Sequence, residues 1–538
     1  MSNSITKKFI KEVIERDFKD QSSLESFKKE FCRNLRKEKT PFRILSNADI
    51  KRTYLQMVAK KEISTNQDFE NLLITKKVRT LSGVAVVAVL TKSYPCPGKC
   101  IYCPDEKSMP KSYLSNEPAV MRAIGTNFHP YAQTQARLKM FEINGHSIEK
   151  IEMIIMGGTF NYFSRKYQNW FIKECYRALN DYPKNLIKKS HTSSLEKEKI
   201  KNQTAFSRMV GLTLETRPDY INQKEIAYFR KLGATRVELG IQNIFDKVLK
   251  MNNRGHLVKA SIEATKLLKE AGFKINYHLM PGMYGSSFKK DLAMFKEIFN
   301  NQDFQPDMIK IYPCVVTRNS KLYKFWKTGK YKPLTNEENK KLIIAIKKII
   351  PPYVRITRLI RDIPEESIQA GPNISNLRQI IQQEKVQCQC IRCREVKADY
   401  KAKENIILDR IDYSASDGKE IFLQFVSKDR TKLFALLRLR INNPENTKNH
   451  FLPILKNSAI IRELHTYGKS TALKKHSADS PQHLGLGKKL VKEAEKIAKK
   501  EFNLNKMAII AGVGVRGYYA KKLGYELKDE YMIKKPLS

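Results

Sequence analysis

The stretch SYPCPGKCIYCP at residues 93–104 decides the fold of this chain. It places Cys96, Cys100 and Cys103 on one loop in a C-x3-C-x2-C spacing, shortly after the Val-rich run Val84–Leu90. Three thiolates on one loop can bind three of the four irons of a [4Fe–4S] cluster. The fourth iron then stays open to chelate the amino and carboxylate groups of S-adenosylmethionine (SAM), whose reductive cleavage yields a 5′-deoxyadenosyl radical. A zinc loop that lacks one ligand is the alternative interpretation.

Short apolar runs continue outward from this loop and alternate with helical patterns. The expected strands are Val84–Leu90, Ile151–Met156, Val210–Leu214, Arg236–Ile241, Ile275–Met280 and Met308–Tyr312. This alternation predicts a parallel βα array whose ligands gather at the carboxyl ends of the strands. We therefore expect an α/β fold, a partial TIM-type (β/α)6 barrel over residues 79–380. The hydrophilic, Lys-rich stretch 183–206 is predicted to be a loop.

Polar residues at the predicted strand ends are candidates for binding SAM. Gly157, Gly158 and Thr159 follow the second strand, and paired glycines at a strand end expose backbone groups to a ligand. Glu215 ends the third strand, and Gln242 follows the fourth. Structural hydrogen bonding is the alternative role for these side chains.

The pattern changes after Lys403. Ile421–Phe425, Leu433–Leu439 and Ile460–Thr466 resemble neighbouring strands, and a helix is expected over Gly485–Lys500, before a late strand Met507–Ala511. Residues 403–538 are therefore predicted to form a compact α+β domain.

A glycine motif lies in this second domain. Gln482, Gly485, Leu486, Gly487 and Lys488 fit the pattern Q-x-x-G-x-G at a helix start. Successive backbone N–H groups there can hold a pyrophosphate. The motif resembles the acetyl-CoA loop of GNAT acetyltransferases.

Two further elements accompany the motif. The backbone of the preceding strand, at Glu463, Leu464, His465 and Thr466, could pair with the pantetheine arm of acetyl-CoA. Tyr518 and Tyr519 lie where GNAT enzymes carry a tyrosine near the CoA sulfur, and a phenol there can protonate a departing thiolate. Core packing is the alternative role, weighed more heavily for Tyr518 than for Tyr519.

A second cysteine cluster joins the two predicted domains. Cys388, Cys390 and Cys393 lie within residues 381–402 and provide three ligands of a tetrahedral structural zinc site. The fourth ligand would be Cys314 or a histidine. A second iron–sulfur cluster is the alternative.

The charge balance points to a polyanionic partner. The formal net charge is +45, and residues 321–361 hold twelve Lys or Arg against two Glu. We expect nucleic acid to bind this stretch and the basic, helical N-terminal region 1–78. A general compositional bias toward lysine is the alternative.

The sequence also indicates where the chain resides. It has no long apolar run and no signal-peptide pattern, so we expect no membrane partner. Nine cysteines, six of them in two tight clusters, indicate metal binding in a reducing, cytoplasmic compartment.

A radical SAM barrel followed by a GNAT-type domain resembles the catalytic subunit of the Elongator complex. Matching stretches include 82–89, 117–124, 156–160, 215–220, 253–256, 361–364 and 462–465. The similarity runs from about residue 75 to the end. The ordinary three-residue gap between the first cluster cysteines, and the second cysteine cluster, indicate a prokaryotic-type member. The need for other Elongator subunits, or for a homodimer, stays open.

The resemblance implies an activity. That family installs a carboxymethyl-type group on C5 of the tRNA wobble uridine. The adenosyl radical abstracts hydrogen from the methyl group of acetyl-CoA, the carbon radical adds to C5, and the thioester is hydrolysed. The counterparts of Lys150, Glu463–Thr466, Leu486–Lys488 and Tyr519 contact CoA. Tyr519, Tyr518 and Lys150 are the candidate catalytic residues, and an electron donor protein or reductant is required.

Three other functions compete with this one. The main rival is a protein lysine N-acetyltransferase with a structural iron–sulfur barrel, which leaves three cluster cysteines unexplained. An RNA-binding scaffold would not need cofactor motifs in both domains. A tRNA methylthiolase would not need the acetyltransferase-type domain.

Overall fold

The structure, a computed structural model, describes residues 2–38, 45–74, 83–183, 193–397, 404–468 and 484–537. Gln482 of the predicted acetyl-CoA loop therefore lies outside the described residues. No helix among them is both long enough and apolar enough to cross a membrane.

The N-terminal region is helical, as its sequence pattern predicts. Its helices are α1 (Ser2–Arg16), α2 (Gln21–Lys37), α3 (Asn47–Ala59) and α4 (Gln67–Leu72). They share a small apolar core of their own, in which the ring of Phe9 stacks on Phe27 with centroids 5.6 Å apart. A Cβ atom on Gly145 would lie 2.7 Å from the Ile74 side chain, so this bundle packs directly on the next domain.

The second domain is built around a parallel sheet. The strands are β1 (Ala85–Leu90), β2 (Lys150–Met156), β3 (Arg208–Thr216), β4 (Arg236–Gln242), β5 (Lys274–Leu279), β6 (Met308–Ile311), β7 (Val316–Thr317), β8 (Arg355–Arg358) and β9 (Ile368–Ala370). The sheet order is β1-β2-β3-β4-β5-β6-β8, and every neighbouring pair is parallel. Strands β7 and β9 form a separate antiparallel ribbon.

Helices cover the outer face of this sheet. They are α5 (Pro118–Ile124), α6 (Pro130–Ile143), α7 (Arg165–Asp181), α8 (Leu195–Asn202), α9 (Gln223–Leu232), α10 (Asp246–Met251), α11 (Val258–Glu270), α12 (Phe288–Asn300), α13 (Leu322–Lys327), α14 (Asn336–Ile349), α15 (Leu377–Gln383) and α16 (Ile391–Arg394). The odd-numbered positions of β1 and β2 pack against these helices, and the even-numbered positions face the inside of a partial barrel.

The expected partial barrel is confirmed, with two differences. The sheet has a seventh strand, β8, which has only four residues and one fully buried apolar side chain, Ile356, so its sequence carries no apolar run. The stretch 183–206 was predicted as a loop, but it contains α8. Ser194 caps this helix by accepting a hydrogen bond from Lys197 N, and glutamates occupy its first turn, where they complement the helix dipole.

The third domain has the predicted α+β character. Its elements are β10 (Ile406–Ala415), β11 (Gly418–Ser427), β12 (Leu433–Asn442), α17 (Pro444–Lys448), β13 (Ala459–Thr466), α18 (Leu486–Phe502), β14 (Met507–Ile509), α19 (Arg516–Leu523), β15 (Glu526–Lys528) and β16 (Tyr531–Lys534). The sheet order is β10-β11-β12-β13-β14-β16-β15, in which only β13 and β14 pair in parallel.

The second and third domains form one body. Their buried apolar residues belong to one continuous core. A buried ion pair crosses the junction: Arg462 donates to Asp307 Oδ1 over 2.9 Å, and it also donates to Glu420 Oε2 of its own domain over 2.8 Å. A Cβ atom on Gly512 would lie 2.1 Å from the carbonyl oxygen of Val210, so the backbones are in contact. Because these contacts reach the amino ends of the parallel strands, the third domain closes that end of the barrel.

Candidate active site

The three cysteines of residues 93–104 lie at the carboxyl end of β1, on a loop held by backbone hydrogen bonds. Ile101 donates to Asn252 O over 3.1 Å, and Leu322 donates to Ile101 O over 2.8 Å. A Cβ atom on Gly98 would lie 2.3 Å from a guanidinium nitrogen of Arg217. The glycine between the first two cysteines therefore lets that arginine approach the loop.

Two arginines place positive charge beside the thiols. Arg254 donates to the sulfur of Cys100 over 3.6 Å. Burial raises the pKa of the Cys100 thiol, but the charge of Arg254 and hydrogen bonds from Tyr102 and Arg254 outweigh it, so the net pKa is lowered. This favours the thiolate, the form that binds metal.

The two cysteine triads differ in how closely their sulfurs approach. Among the described residues, only Cys388, Cys390 and Cys393 form a group of three metal-ligating side chains whose ligand atoms all lie within 4.8 Å of one another. Three thiolates that share one zinc ion, with Zn–S bonds of about 2.3 Å, must lie this close. Thiolates of a [4Fe–4S] cluster each bind a different iron and are spread wider. The wider first triad thus fits a cluster, and the compact second triad fits a single ion.

The candidate SAM residues gather at the same end of the barrel. Gly157 and Gly158 follow β2 with φ values of 126° and 100°, in the left-handed region that favours glycine. A Cβ atom on Gly157 would lie 2.0 Å from Thr91 Oγ1. Thr159 is buried, and Glu215 accepts a hydrogen bond from the Tyr113 hydroxyl over 3.1 Å. The carboxyl ends of three neighbouring strands thus supply these groups.

Several buried polar atoms beside this loop have no partner among the described residues. They are Gln242 Oε1, Asn243 Nδ2, Arg217 Nη1, Arg254 Nε and His256 Nε2. Gln242 also has a φ of 70°, unusual for a residue with a side chain. Unpaired buried donors and acceptors are rare because each costs free energy. This group of unpaired donors and acceptors fits a zwitterionic ligand such as SAM beside an anionic iron–sulfur cluster.

Charged residues line the inside of the barrel below these groups. Glu238, on β4, is fully buried and accepts hydrogen bonds from His278 Nε2 over 2.9 Å and Asn276 Nδ2 over 3.1 Å. Burial raises the pKa of Glu238, but the charge of Lys310 and the His278 hydrogen bond more than offset it and hold the pKa well below its usual range. The sequence analysis did not find His278 and Lys310, because each is a single polar residue inside an apolar strand.

Positively charged side chains lie at the amino ends of the strands, where they face the third domain. Five of the seven parallel strands begin with Lys or Arg, at Lys150, Arg208, Arg236, Lys274 and Arg355. This ring of basic residues was visible in the sequence and was missed.

Acidic groups of the third domain and of the segment that precedes it meet this ring. Glu463 on β13 lies 3.2 Å from Lys274 and 2.8 Å from Arg438, which hold its pKa at about 2 against the opposing effect of burial. Glu395 lies 2.6 Å from Arg355. These ion pairs between opposite charges fix which faces of the two domains are in contact.

Lys150, the candidate barrel residue, begins β2 at this junction. It pairs in register with Arg208, whose Cβ lies 2.6 Å from the place a Cβ would take on Gly514. Burial lowers the pKa of Lys150. The structure thus places it at the edge of the third domain, far from the cysteine loop along β2.

The candidate acetyl-CoA residues meet at the end of β13. A Cβ atom on Gly487 would lie 3.6 Å from the Tyr518 hydroxyl, 3.7 Å from Thr466 Oγ1 and 3.8 Å from a methyl group of Leu464. Gly485 is the N-cap of α18 with a φ of 68°, and a Cβ atom there would meet nothing within 4 Å. Leu486 is buried and Lys488 is exposed. Among the described residues, which exclude 469–483, nothing lies within 4 Å of that position, so a ligand fits beside Gly485.

The two tyrosines have opposite surroundings. Tyr519 is only 6% exposed and belongs to the apolar core, whereas Tyr518 is 38% exposed. Core packing was the alternative weighed more heavily for Tyr518, and the structure gives that role to Tyr519 instead. The hydroxyl that reaches the glycine motif is that of Tyr518.

The compact cysteine triad lies at the domain junction. Cys390 is fully buried, Cys393 accepts a hydrogen bond from Lys347 Nζ over 3.5 Å, and Ile391 N donates to Val354 O over 3.0 Å beside β8. Cys314, expected as a fourth ligand, instead packs against Tyr102 and Tyr331 next to the other triad. Cys314 therefore lies beside the first triad, and the choice of a histidine as the fourth ligand stays a prediction.

The basic stretch 321–361 divides into two parts. Arg361 forms an ion pair with Glu117 over 3.1 Å, and Arg358 pairs with Asp362, so these charges are used internally. Five lysines between 321 and 332 are exposed. Lys321 and Lys99 also line a cavity of about 520 Å³ whose floor includes Arg254. The exposed lysines remain candidates for binding phosphate.

Comparisons with known proteins agree with this geometry. Residues 92–296 match the Radical SAM superfamily, and residues 306–386 match the Radical SAM C-terminal domain. A tRNA uridine(34) acetyltransferase of Methanocaldococcus infernus is 47% identical over 478 residues, 86% of this chain and 87% of the relative. Elongator complex protein 3 of Mus musculus is 37% identical over 482 residues, 86% of each chain.

A solved structure extends the likeness to three dimensions. The archaeal Methanocaldococcus infernus Elp3 with an N-terminal deletion has a TM-score of 0.71 and 43% identity, and the match covers 85% of this chain and 100% of that chain. The chain therefore belongs to the radical SAM family that includes the archaeal tRNA uridine(34) acetyltransferases and the eukaryotic Elongator complex protein 3.

Proposed function

We propose that this protein is a tRNA-modifying enzyme that uses SAM and acetyl-CoA to install a carboxymethyl group on C5 of the wobble uridine. The names of its relatives support tRNA and uridine as the substrate. The fit of the cysteine loop to a [4Fe–4S] cluster supports the radical chemistry, and the open helix start at Gly485 supports an acyl-CoA ligand.

One observation carries this proposal: a line of charged residues inside the barrel joins its two ends. Glu215 lies 3.6 Å from His278, which contacts Glu238 over 2.9 Å. Arg236 on β4 lies 4.0 Å from Glu238 and pairs with Glu152 on β2, two strands away.

The line ends at β13. The charges of Lys274, Glu463 and His465 all act on Glu152, so the barrel interior and the proposed pantetheine strand adjoin. A polar interior that reaches from one ligand site to the other favours one shared reaction chamber over two independent activities.

The interior is also accessible from one side. The even-numbered positions of β1 face inward, and Val86 there remains 41% exposed. An edge strand with an exposed inner face supports entry of a nucleotide beside β1, where the partial barrel is open.

Each end of the chamber has its own task. When bound, the cluster and SAM supply a 5′-deoxyadenosyl radical that can take hydrogen from an unactivated methyl group. Gly157, Thr159, Glu215 and Gln242 would bind and orient SAM. The backbone at the start of α18 would hold the pyrophosphate of acetyl-CoA, because helix N-termini bind anions.

The acyl end would position the thioester. The backbone of Glu463–Thr466 pairs with the pantetheine arm, and Lys150 contacts the same ligand from the barrel. Tyr518, whose hydroxyl reaches the glycine motif, replaces Tyr519 as the proposed proton donor to the departing thiolate. Holding the acyl group and the uridine in one chamber makes the reaction feasible. Binding then offsets the entropy cost of bringing the two reactants together, which is several kcal/mol of the activation barrier.

The remaining groups would support this site. Zinc at Cys388, Cys390 and Cys393 would fix the junction beside β8, and an electron donor protein or reductant would reduce the cluster. The exposed lysines of 321–332 and the N-terminal helices would bind tRNA phosphates. Deleting residues 1–70 should then weaken tRNA binding and lower the salt dependence by roughly one unit of slope per lost phosphate contact.

The test follows the transfer of hydrogen from the methyl group of acetyl-CoA. Reduced enzyme is incubated with SAM, tRNA and acetyl-CoA deuterated in its methyl group, and both 5′-deoxyadenosine and the wobble nucleoside are analysed by mass spectrometry. We expect deuterium in 5′-deoxyadenosine and a carboxymethyl group on uridine. Gly487→Glu, which puts negative charge at the proposed pyrophosphate site, should abolish both and leave the cluster intact.

The same experiment distinguishes the main rival. Acetylation of lysine side chains without transfer of deuterium to 5′-deoxyadenosine would favour a protein lysine N-acetyltransferase and contradict the proposal.

A further inference from the structure

Three aromatic rings form a column beside the cysteine loop. The ring of Tyr94 stacks on Phe163 with centroids 4.3 Å apart and planes at 26°. Phe163 stacks in turn on Tyr167, at 4.5 Å and 20°. Phe163, the middle ring of the column, is buried, and Tyr94 is the ring at one end.

The end of this column is exposed at the mouth of the barrel. Tyr94 is 39% exposed, and Tyr162, whose ring lies edge-on to it at 6.0 Å, is 40% exposed. Tyr220 lies 5.7 Å beyond Tyr162. These three tyrosines come from the loops after β1, β2 and β3, so they surround the end of the barrel that carries the cysteines.

The tyrosines lie close to the reaction centre. Tyr94 is two residues from Cys96, and the charge of Cys96 acts on the Tyr220 hydroxyl. Phe163 covers one face of Tyr94, which leaves the other face of an exposed ring without a stacking partner among the described residues.

The charges around the column are positive. Lys92 is exposed, and its Nζ lies 5.2 Å over the ring of Tyr167. Lys99 is exposed on the same loop as Tyr94. Exposed rings that alternate with lysines are suited to single-stranded RNA, whose bases stack on aromatic side chains while its phosphates contact cations.

We propose that Tyr94 is a stacking platform for an unpaired base of the tRNA anticodon loop, a base next to the uridine that is modified. The base adds a fourth ring to the column Tyr94–Phe163–Tyr167, and Tyr162 borders it at the edge. This inference rests on the proposed function, because it names a subsite for the same tRNA. The modified uridine enters the barrel, and its neighbour stays at the mouth.

The experiment measures binding of a fluorescent tRNA anticodon stem–loop to the full-length protein with its cluster reconstituted. Tyr94→Ala should weaken binding by roughly 5- to 150-fold, the range that corresponds to 1–3 kcal/mol per stacked base. Tyr94→Phe keeps the stacking face and should bind within about twofold of wild type. The loss should be the same at low and high salt, since stacking releases no counterions.

A double-mutant cycle identifies the base. Stem–loops that are abasic at single positions flanking the wobble uridine are tested against both proteins. Tyr94→Ala should no longer weaken binding of the one stem–loop that lacks the stacked base, because the partner is already absent.

Two controls separate stacking from damage to the loop. Phe206, 53% exposed in the turn before β3 at the opposite end of the barrel, provides a matched aromatic, and Phe206→Ala should bind as wild type. Tyr94→Ala should retain the cluster absorbance of wild type. Tyr162→Ala, which is farther from the cysteines in sequence, should weaken binding in the same salt-independent way.

Three outcomes would overturn the proposal: Tyr94→Ala binding within twofold of wild type, an equal loss for every abasic stem–loop, or an equal loss for Phe206→Ala. Each of them leaves the proposed function intact if wild type still modifies the tRNA. If wild type neither binds nor modifies the tRNA, the proposed function itself fails.

Discussion

The two ends of the barrel differ in the partners of their buried polar groups. At the carboxyl ends of the strands, buried atoms such as Gln242 Oε1 and Arg217 Nη1 have no partner among the described residues. At the amino ends, charged side chains form ion pairs, as Arg462 does with Asp307 across the junction and with Glu420 of its own sheet. Single atoms there, such as Arg462 Nε and Arg230 Nε, are also buried without a partner among the described residues. An unpaired buried group costs about 1–3 kcal/mol, so the first arrangement is stable only if a ligand completes it. The second arrangement joins two domains through ion pairs between side chains of the protein itself.

The two cysteine triads follow the same division. The triad at Cys96, Cys100 and Cys103 lies at the end with unpaired groups and has widely separated sulfurs. The triad at Cys388–Cys393 lies at the paired end, where its neighbours Val354 and Lys347 bind it to the sheet and to α14. The same side chain is therefore proposed to bind a reactive cluster at one end and a structural metal at the other.

The largest expected difference between the ends comes from removing one thiol. Cys100→Ala leaves two thiolates, which hold an iron–sulfur cube poorly, so cluster absorbance and SAM cleavage should disappear while the protein stays folded. The measurements are the visible spectrum after anaerobic reconstitution and the yield of 5′-deoxyadenosine.

The matched control removes a thiol from the other triad. Cys393→Ala, at an exposed position, should retain the cluster absorbance per folded molecule. SAM cleavage by the Cys100 variant at the wild-type rate would refute the assignment of this loop.

The second prediction concerns the compact triad at Cys388, Cys390 and Cys393. Cys390→Ser removes a fully buried candidate zinc ligand and should destabilise the protein by about 4 kcal/mol, since loss of a structural metal is among the largest single-residue effects. We expect a lower Tm and loss of bound zinc, with SAM cleavage per folded molecule unchanged. A native protein without stoichiometric zinc in metal analysis would end this idea.

The sequence predicted the parts of the molecule that depend on local patterns. The cysteine spacing and the apolar runs of β1 to β6 are periodic signals in adjacent residues, so both the cluster loop and the parallel sheet could be found. Strand β8 was missed because an edge strand with one buried apolar residue gives no such signal. Helix α8 was missed because its cap and charge pattern, rather than apolar residues, favour the helix.

The contacts that join distant residues could not be predicted. Nothing near Cys314 in sequence shows that it packs beside Tyr102 rather than beside Cys390. The burial of Tyr519 and exposure of Tyr518 depend on how α19 rotates against Tyr525, which sequence spacing does not fix. The charged barrel interior, from Glu215 to Glu152, was hidden because each strand contributes only one or two of its members.

The third prediction compares one glycine from each end. Gly157→Ala puts a Cβ 2.0 Å from Thr91 Oγ1 at a φ of 126°, which should cost about 1–3 kcal/mol and weaken SAM binding. Gly487→Ala puts a Cβ at ordinary contact distances of 3.6–3.8 Å inside α18, so stability should be unchanged or slightly higher. Thermal denaturation and calorimetric titration with SAM measure both effects. Equal destabilisation by the two substitutions would contradict the contrast.

The smallest effect is expected at His465. It lies at the paired end, yet its Nε2 is buried without a partner in the described structure, as at the cluster end. Burial, opposed by Glu463 and reinforced by Arg355 and Lys274, lowers the pKa of His465 to about 4. The folded protein therefore keeps this imidazole neutral where the unfolded chain, with a pKa of about 6.5, takes up a proton.

The sign of the pH dependence follows from this difference. Between pH 4 and about 6.5 the unfolded state binds more protons at this site, so the stabilisation from neutral His465 is complete above that window and is lost as pH falls through it. His465→Gln removes the titration. The Tm difference between wild type and variant should shrink from pH 7.5 to pH 5 by about a few degrees or less. A Tm difference that does not change with pH would show that His465 is not held neutral. Saturating acetyl-CoA should raise the Tm of wild type more than that of the variant, since the unpaired Nε2 marks the place where the paired end opens to a ligand.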